Sequence, residues 1–135
     1  MNCLVDANVL SEATRPDPDP RVVHWLRENE RGLVVNPIVL GEIRFGILLL
    51  RRSRRRRELE RWFEEGVRLL QCIDWDAETA LHWSDLLARL RRRGKAMPVK
   101  DSLIAASALR HGLPIATLDR GDFGEANIAL IDPSA

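Results

Sequence analysis

Cys3-Leu4-Val5-Asp6-Ala7-Asn8-Val9-Leu10-Ser11-Glu12 is the stretch that decides the fold. Cys3, Leu4 and Val5 run without polar alternation into an acid. That is the pattern of a short strand buried on both faces, as in a parallel sheet. In open sheets of that kind sites form outside the carboxyl ends of the strands, where Asp6 stands. An aspartate there also serves as a plain N-cap for the turn Ala7 to Glu12, so position alone does not assign it a role.

Working outward, Leu33-Val34-Val35 repeats the strand pattern. Asn36-Pro37 follows, an N-cap with proline in the first turn, so a helix should run from there to about Leu50. Between the two strands, Arg15 to Pro20 is a proline-rich loop. A helix then begins at Pro20, with Val22, Val23, Trp25 and Leu26 as its apolar side and Gly32 as its stop. The chain continues with a helix near Glu58 to Leu70 and a short strand at Cys72-Ile73. Asp76 caps a helix reaching about Arg93, which Gly94 ends. A further helix spans about Asp101 to His111 and stops at Gly112. Pro114 to Thr117 and Asn127 to Ile131 read as the last strands. Strands alternating with helices predict one α/β domain over residues 1–135, a sandwich around a mostly parallel sheet.

With 135 residues the chain suits one hydrophobic core. Apolar residues at 45% and charged residues at 30% match a soluble globular protein. The apolar run Ile47 to Leu50 is far too short to span a bilayer. Met1 leads almost directly into the first strand with no leader-like segment, so the expected location is cytoplasmic, away from membranes. Cys3 and Cys72 lie in apolar runs without a CxxC or a nearby histidine, and both are expected to be buried, inert thiols. The net charge of +1 conceals segregation. Arg51, Arg52, Arg54, Arg55, Arg56 and Arg57 form one basic block; Arg89, Arg91, Arg92, Arg93, Lys95 and Lys100 form another. Such stripes suit a polyanion, and equally a solvated helix face.

Four carboxylates draw attention as a set. Asp6 and Asp119 each follow a strand and should share its carboxyl edge, although Asp119-Arg120-Gly121-Asp122 is also a good turn sequence. Glu42 has Ile38, Phe45, Gly46 and Leu49 as helical face-neighbours, so it is expected on the core-facing stripe. A carboxylate there must be neutral, paired with an arginine or bound to a cation. Asp101 shares its face with Ile104, Ala105 and Ala108, and an N-cap role fits it as well. Acids gathered at one edge repel each other and call for a cation, and hard oxygen ligands favour Mg²⁺ or Mn²⁺. His24, His82 and His111 are scattered, no nucleophile–base spacing stands out, and Trp25, Trp62, Trp75 and Trp83 read as packing residues.

These segments resemble the motifs of PIN-domain proteins. Leu4-Val5-Asp6-Ala7-Asn8 is similar to their opening motif and Val39-Leu40-Gly41-Glu42 to their second. Lys100-Asp101-Ser102-Leu103-Ile104-Ala105-Ala106 is similar to their third, and Ala116-Thr117-Leu118-Asp119 to their last. The order is right and the match spans nearly the whole chain, most like VapC-type toxins of the FitB-like branch. The resemblance implies a PIN-like three-layer α/β sandwich and a Mg²⁺- or Mn²⁺-dependent endoribonuclease acting on RNA, with tRNA a frequent target. It also implies a homodimer and a cognate antitoxin whose peptide lies across the acidic site. By carry-over Asp6 and Asp101 are the principal metal ligands, Glu42 and Asp119 complete the set, and Asn8 orients the first motif. Ala7 departs from the threonine often found there. The fourth acid is Asp119 or Asp122, with Thr117 favouring Asp119. The alternatives are a housekeeping RNA-processing PIN nuclease and an inactive binding module. A phosphatase or dehalogenase using Asp6 as nucleophile would need a supporting lysine, for which Lys95 and Lys100 are the only lysines.

Overall fold

In the computed structural model, which describes residues 2–135, Cys3–Val5 forms the central strand, β1, and all three residues are buried. The other strands are β2 (Leu33–Val35), β3 (Gln71–Cys72), β4 (Ile115–Ala116) and β5 (Leu130–Ile131). They lie in the order β3-β2-β1-β4-β5, and every neighbouring pair is parallel. The expected mostly parallel sheet is thus wholly parallel. From β1 the chain moves outward through β2 and β3, then returns to β1's other side for β4 and β5. The order therefore reverses between β1 and β4, and a crevice opens beyond their carboxyl ends. The register Val5↔Ala116 sets Asp6 beside Thr117 at that crevice.

The connections are helical: α1 (Ala7–Glu12), α2 (Pro20–Glu28), α3 (Pro37–Leu48), α4 (Arg54–Glu65), α5 (Ala77–Arg92), α6 (Val99–His111) and α7 (Arg120–Phe123). With right-handed crossovers, the helices leaving β1 and β2 cover one face and those between β3 and β4 the other. The core joins Leu4, Val5, Val34, Val35 and Ile115 of the sheet to Val39, Ile43, Leu86, Leu90, Ile104 and Phe123 of the helices. α6 buries Ala105, Ala106 and Ala108 together with Ser102 and Ser107, and these small side chains let it approach its neighbours closely.

Helix starts follow local chemistry. The Asn36 side chain accepts from the Val39 amide at 2.9 Å, and Asp76 accepts from Thr79 at 3.0 Å. Gly94 and Gly112 both take positive φ, 65° and 64°, to terminate α5 and α6.

Several boundaries differ from the sequence reading. α2 ends at Glu28, because the Asn29 amide and side chain both bond the Trp25 carbonyl, and a short 3₁₀ turn carries the chain through Gly32. α4 starts at Arg54 instead of near Glu58: Ser53 caps it, and Arg54–Glu58 and Arg56–Glu60 pair one turn apart. Asp101 is not an N-cap, since α6 begins two residues earlier behind Pro98. Cys3 is buried as expected, whereas Cys72 is exposed on edge strand β3. Among the described residues no helix is long and apolar enough to cross a membrane.

Candidate acidic active site

Asp6 leaves β1 buried, at 5% exposure, and both its oxygens are engaged. The Ala7 amide donates to Oδ1 at 2.8 Å, so Asp6 does cap α1. The Thr117 hydroxyl donates to Oδ2 at 2.8 Å. That hydroxyl in turn accepts from Asn8 Nδ2 at 3.4 Å and from the Asp119 amide at 3.0 Å. With both lone pairs taken, its proton has one destination, the carboxylate of Asp6. Asn8 closes the arrangement by accepting from the Leu118 amide at 3.2 Å. Asn8 and Thr117 therefore lock the ends of β1 and β4 together and fix the Asp6 rotamer. Burial pushes the Asp6 carboxyl up and the nearby Glu42 adds to this, against the Thr117 hydrogen bond, which lowers it.

Asp101, in the first turn of α6, is 7% exposed. Burial, then the charges of Asp6 and Asp122, push its carboxyl up to about 6. The neighbouring Asp122 of α7 pushes the carboxyls of both Asp101 and Asp119 up. Asp119 itself is exposed at the rim. Of the two candidates for the fourth acid, Asp122 and not Asp119 acts on Asp101.

Glu42 corrects the sequence reading. The buried stripe of α3 is Val39, Ile43 and Ile47, while Phe45 and Leu49 are 62% and 70% exposed. Glu42 therefore faces a groove of about 490 Å³ lined by Ala7, Asn8, Phe45, Leu49, Leu50, Leu59, Trp62 and Lys100 among others. Its partner is no arginine: Lys100 Nζ donates to Oε1 at 2.6 Å. Glu42 Oε2 is buried and has no hydrogen-bond partner among the described residues.

The PIN domain family matches residues 3–128, which includes all four motifs. The chain belongs to the PIN-domain family. Within it the chain falls in the VapC/FitB-type branch. It is 31% identical to Toxin FitB of Neisseria gonorrhoeae over 96% of each chain. It is 30% identical to Ribonuclease VapC of Rickettsia bellii, covering 91% of this chain and 89% of that one. It superposes on the crystal structure of FitAcB from Neisseria gonorrhoeae with a TM-score of 0.89, at 32% identity and 97% coverage of both chains.

The acids of this PIN domain suit a hard divalent cation. Asp6 and Asp101 are buried oxygen donors, with Glu42 raising the proton affinity of Asp6 and Asp6 that of Asp101, and Glu42 keeps one buried oxygen unpaired among the described residues. As they stand, no three ligand-type side chains among the described residues close on a single point, and the contact that occupies Glu42 is the Lys100 ammonium. The sequence reading places Lys100 in a basic block and does not pair it with Glu42. The available signal was a cation in the first turn of a helix, where the helix dipole disfavours it, directly before an acid.

Elsewhere the tryptophans pack as expected. Trp75 and Trp83 meet edge to face at 6.2 Å, and their indole N–H groups donate to the Leu103 carbonyl and the Ser102 hydroxyl. They thereby brace the start of α6 that carries Asp101.

Proposed function

We propose that this chain is a divalent-cation-dependent endoribonuclease, the toxin of a type II toxin–antitoxin pair. The observation that carries the reading is that Asp6, Glu42 and Asp101 each lie within the electrostatic field of at least one other, with Asp6 at the switch point of the sheet. The names of its relatives, a toxin and a VapC ribonuclease, agree with it. Asp6, Asp101 and Glu42 would hold Mg²⁺ or Mn²⁺, with Asp122 or Asp119 as the fourth acid. Bound there, the cation supplies a Lewis acid for a phosphoryl oxygen and brings the pKa of water toward neutrality. The protein's own work is positioning. Thr117 and Asn8 fix Asp6, the tryptophan-braced turn fixes Asp101, and α3 presents Glu42 to the groove. RNA, tRNA among its forms, would approach with its phosphates toward this edge, and the Arg51–Arg57 block offers charge to a backbone beyond it.

The groove beside Glu42 is apolar, and Phe45, Leu49 and Leu50 lie open along it. An antitoxin segment with apolar side chains would cover these residues and block the acids together. A homodimer completes the proposed assembly.

The test is incubation of the purified chain with a mixed RNA pool in Mg²⁺ or Mn²⁺, then in chelator, beside Asp6→Asn and Glu42→Gln. Cleavage should need the metal and be lost in both folded variants. Cleavage in chelator, or near-native activity in Asp6→Asn, overturns the reading.

A further inference from the structure

Lys100 is the cation nearest the acids, and its place is not explained by helix formation. It occupies the first turn of α6, where the exposed amides disfavour positive charge. Its side chain crosses to another element and puts Nζ 2.6 Å from Glu42 Oε1. The ammonium also lies in the field of Asp101 and Asp6. It therefore sits among the three acids proposed to hold a divalent cation and neutralises part of their charge. The lysine is half exposed on a flexible stem, so it can leave. Glu42 is less exposed, and its second oxygen remains unpartnered.

We propose that Lys100 is a tethered counter-ion that competes with the divalent cation for Glu42. The inference rests on the metal-dependent reading given above. In the metal-free chain the ammonium holds Glu42 and limits repulsion among the acids. Metal entry exchanges that contact: Glu42 Oε1 passes from the ammonium to the cation, and the ammonium swings to solvent still protonated. The exchange makes metal affinity lower than the acids alone would give, so Lys100 sets the cation concentration at which the site fills.

The experiment is titration of the purified full chain with Mn²⁺, reading free Mn²⁺ by electron paramagnetic resonance, with no RNA present. Lys100→Met should tighten Mn²⁺ binding about three- to fivefold, the upper range for breaking a partly exposed ion pair. Lys95→Met removes the same charge away from Glu42 and should change the affinity by less than about 1.5-fold, as expected for screened charge at a distance. In the Glu42→Gln background the effect of Lys100→Met should shrink to less than about 1.5-fold, because the contested oxygen is no longer charged. Unchanged or weaker binding in Lys100→Met, with clear binding by the native chain, overturns the inference and leaves the nuclease reading standing. So does an equal gain in Lys95→Met or an undiminished gain in the Glu42→Gln background. If neither the native chain nor Lys100→Met binds Mn²⁺, the metal-dependent reading fails and takes this inference with it.

Discussion

Replacing Asp101 with asparagine should stabilise the metal-free protein, opposite to the usual result of removing a buried polar group. Asp101 is 7% exposed, and its carboxyl is pushed from 3.8 up to about 6 by burial first and by Asp6 and Asp122 next. At about 1.4 kcal/mol per pKa unit, keeping it charged at neutral pH costs the metal-free fold up to about 3 kcal/mol. Asparagine preserves the shape and removes the charge. It also gives up a favourable interaction with the α6 N-terminus, worth about 0.3–1 kcal/mol, and solvent near the half-exposed Lys100 reduces the relief further. A net gain of about 1–2 kcal/mol remains, roughly 3–10 °C in melting temperature at about 3–5 °C per kcal/mol for a chain of this size.

The sign of the pH dependence follows from the same shift. A carboxyl whose folded pKa is raised penalises the fold fully above about 6, and the penalty vanishes below the unfolded value near 3.8. The metal-free native chain should therefore gain stability as pH falls from 7.5 to 5, and Asp101→Asn should show a flatter profile. Mg²⁺ at a hundred times its dissociation constant should stabilise the native chain by about 2.7 kcal/mol and the variant by less. Thermal melts of both proteins with and without Mg²⁺, at pH 7.5 and 5, read all of this. A variant that melts at or below the native temperature without metal, beside a native chain that weakens from pH 7.5 to 5, refutes the reasoning.

Thr117→Val removes the hydroxyl that donates to Asp6 and accepts from Asn8 and the Asp119 amide. It should cost about 1–3 kcal/mol in urea melts and lower cleavage, whereas Thr117→Ser should restore most of both. Replacing Arg51, Arg52, Arg54 and Arg57 with serine should weaken RNA binding and flatten its dependence on salt, because fewer counterions are released; an unchanged slope would make the block a solvated surface. Phe123→Ala empties a side chain that is 1% exposed and should cost about 3–5 kcal/mol, tested by chemical denaturation.

The parts of this molecule legible in its sequence are those fixed locally. β1 and β2 are unbroken apolar runs, and Asn36 and Asp76 announce the helices they cap through side-chain bonds made within three residues. β3 and β5, with two residues each, are strands only because β2 and β4 lie beside them. Glu42 lies on the groove and not on the core-facing stripe for a definite reason. α3 and its end carry Ile38, Val39, Leu40, Ile43, Phe45, Ile47, Leu48 and Leu49, apolar nearly all round, so periodicity could not choose which stripe meets the sheet. The core took Val39, Ile43 and Ile47, which left Glu42 on the groove. Asp6, Asp101, Asn8 and Thr117 are each legible through the motif resemblance, whereas the Asn8–Thr117 bond, 109 positions apart, is not. The Lys100–Glu42 contact joins residues 58 positions apart and depends on how α3 and α6 pack. Asp122 stays an alternative to Asp119 in the sequence because a one-turn helix, α7, reads there as a simple turn.

The central claim is the proposed one, that these acids would hold a divalent cation that readies water to attack an RNA phosphodiester, in which case the RNA's own 2′-hydroxyl is not needed as nucleophile. The direct measurement takes an RNA that the chain cleaves and replaces the ribose at the cut nucleotide with 2′-deoxyribose. Cleavage in Mg²⁺ should continue at a rate within about tenfold of the all-ribose substrate and stop in chelator, since the proposed nucleophile is a water whose pKa a bound cation would lower. Loss of cleavage on 2′-deoxy substitution, together with undiminished cutting of the ribose substrate in chelator, would contradict the account.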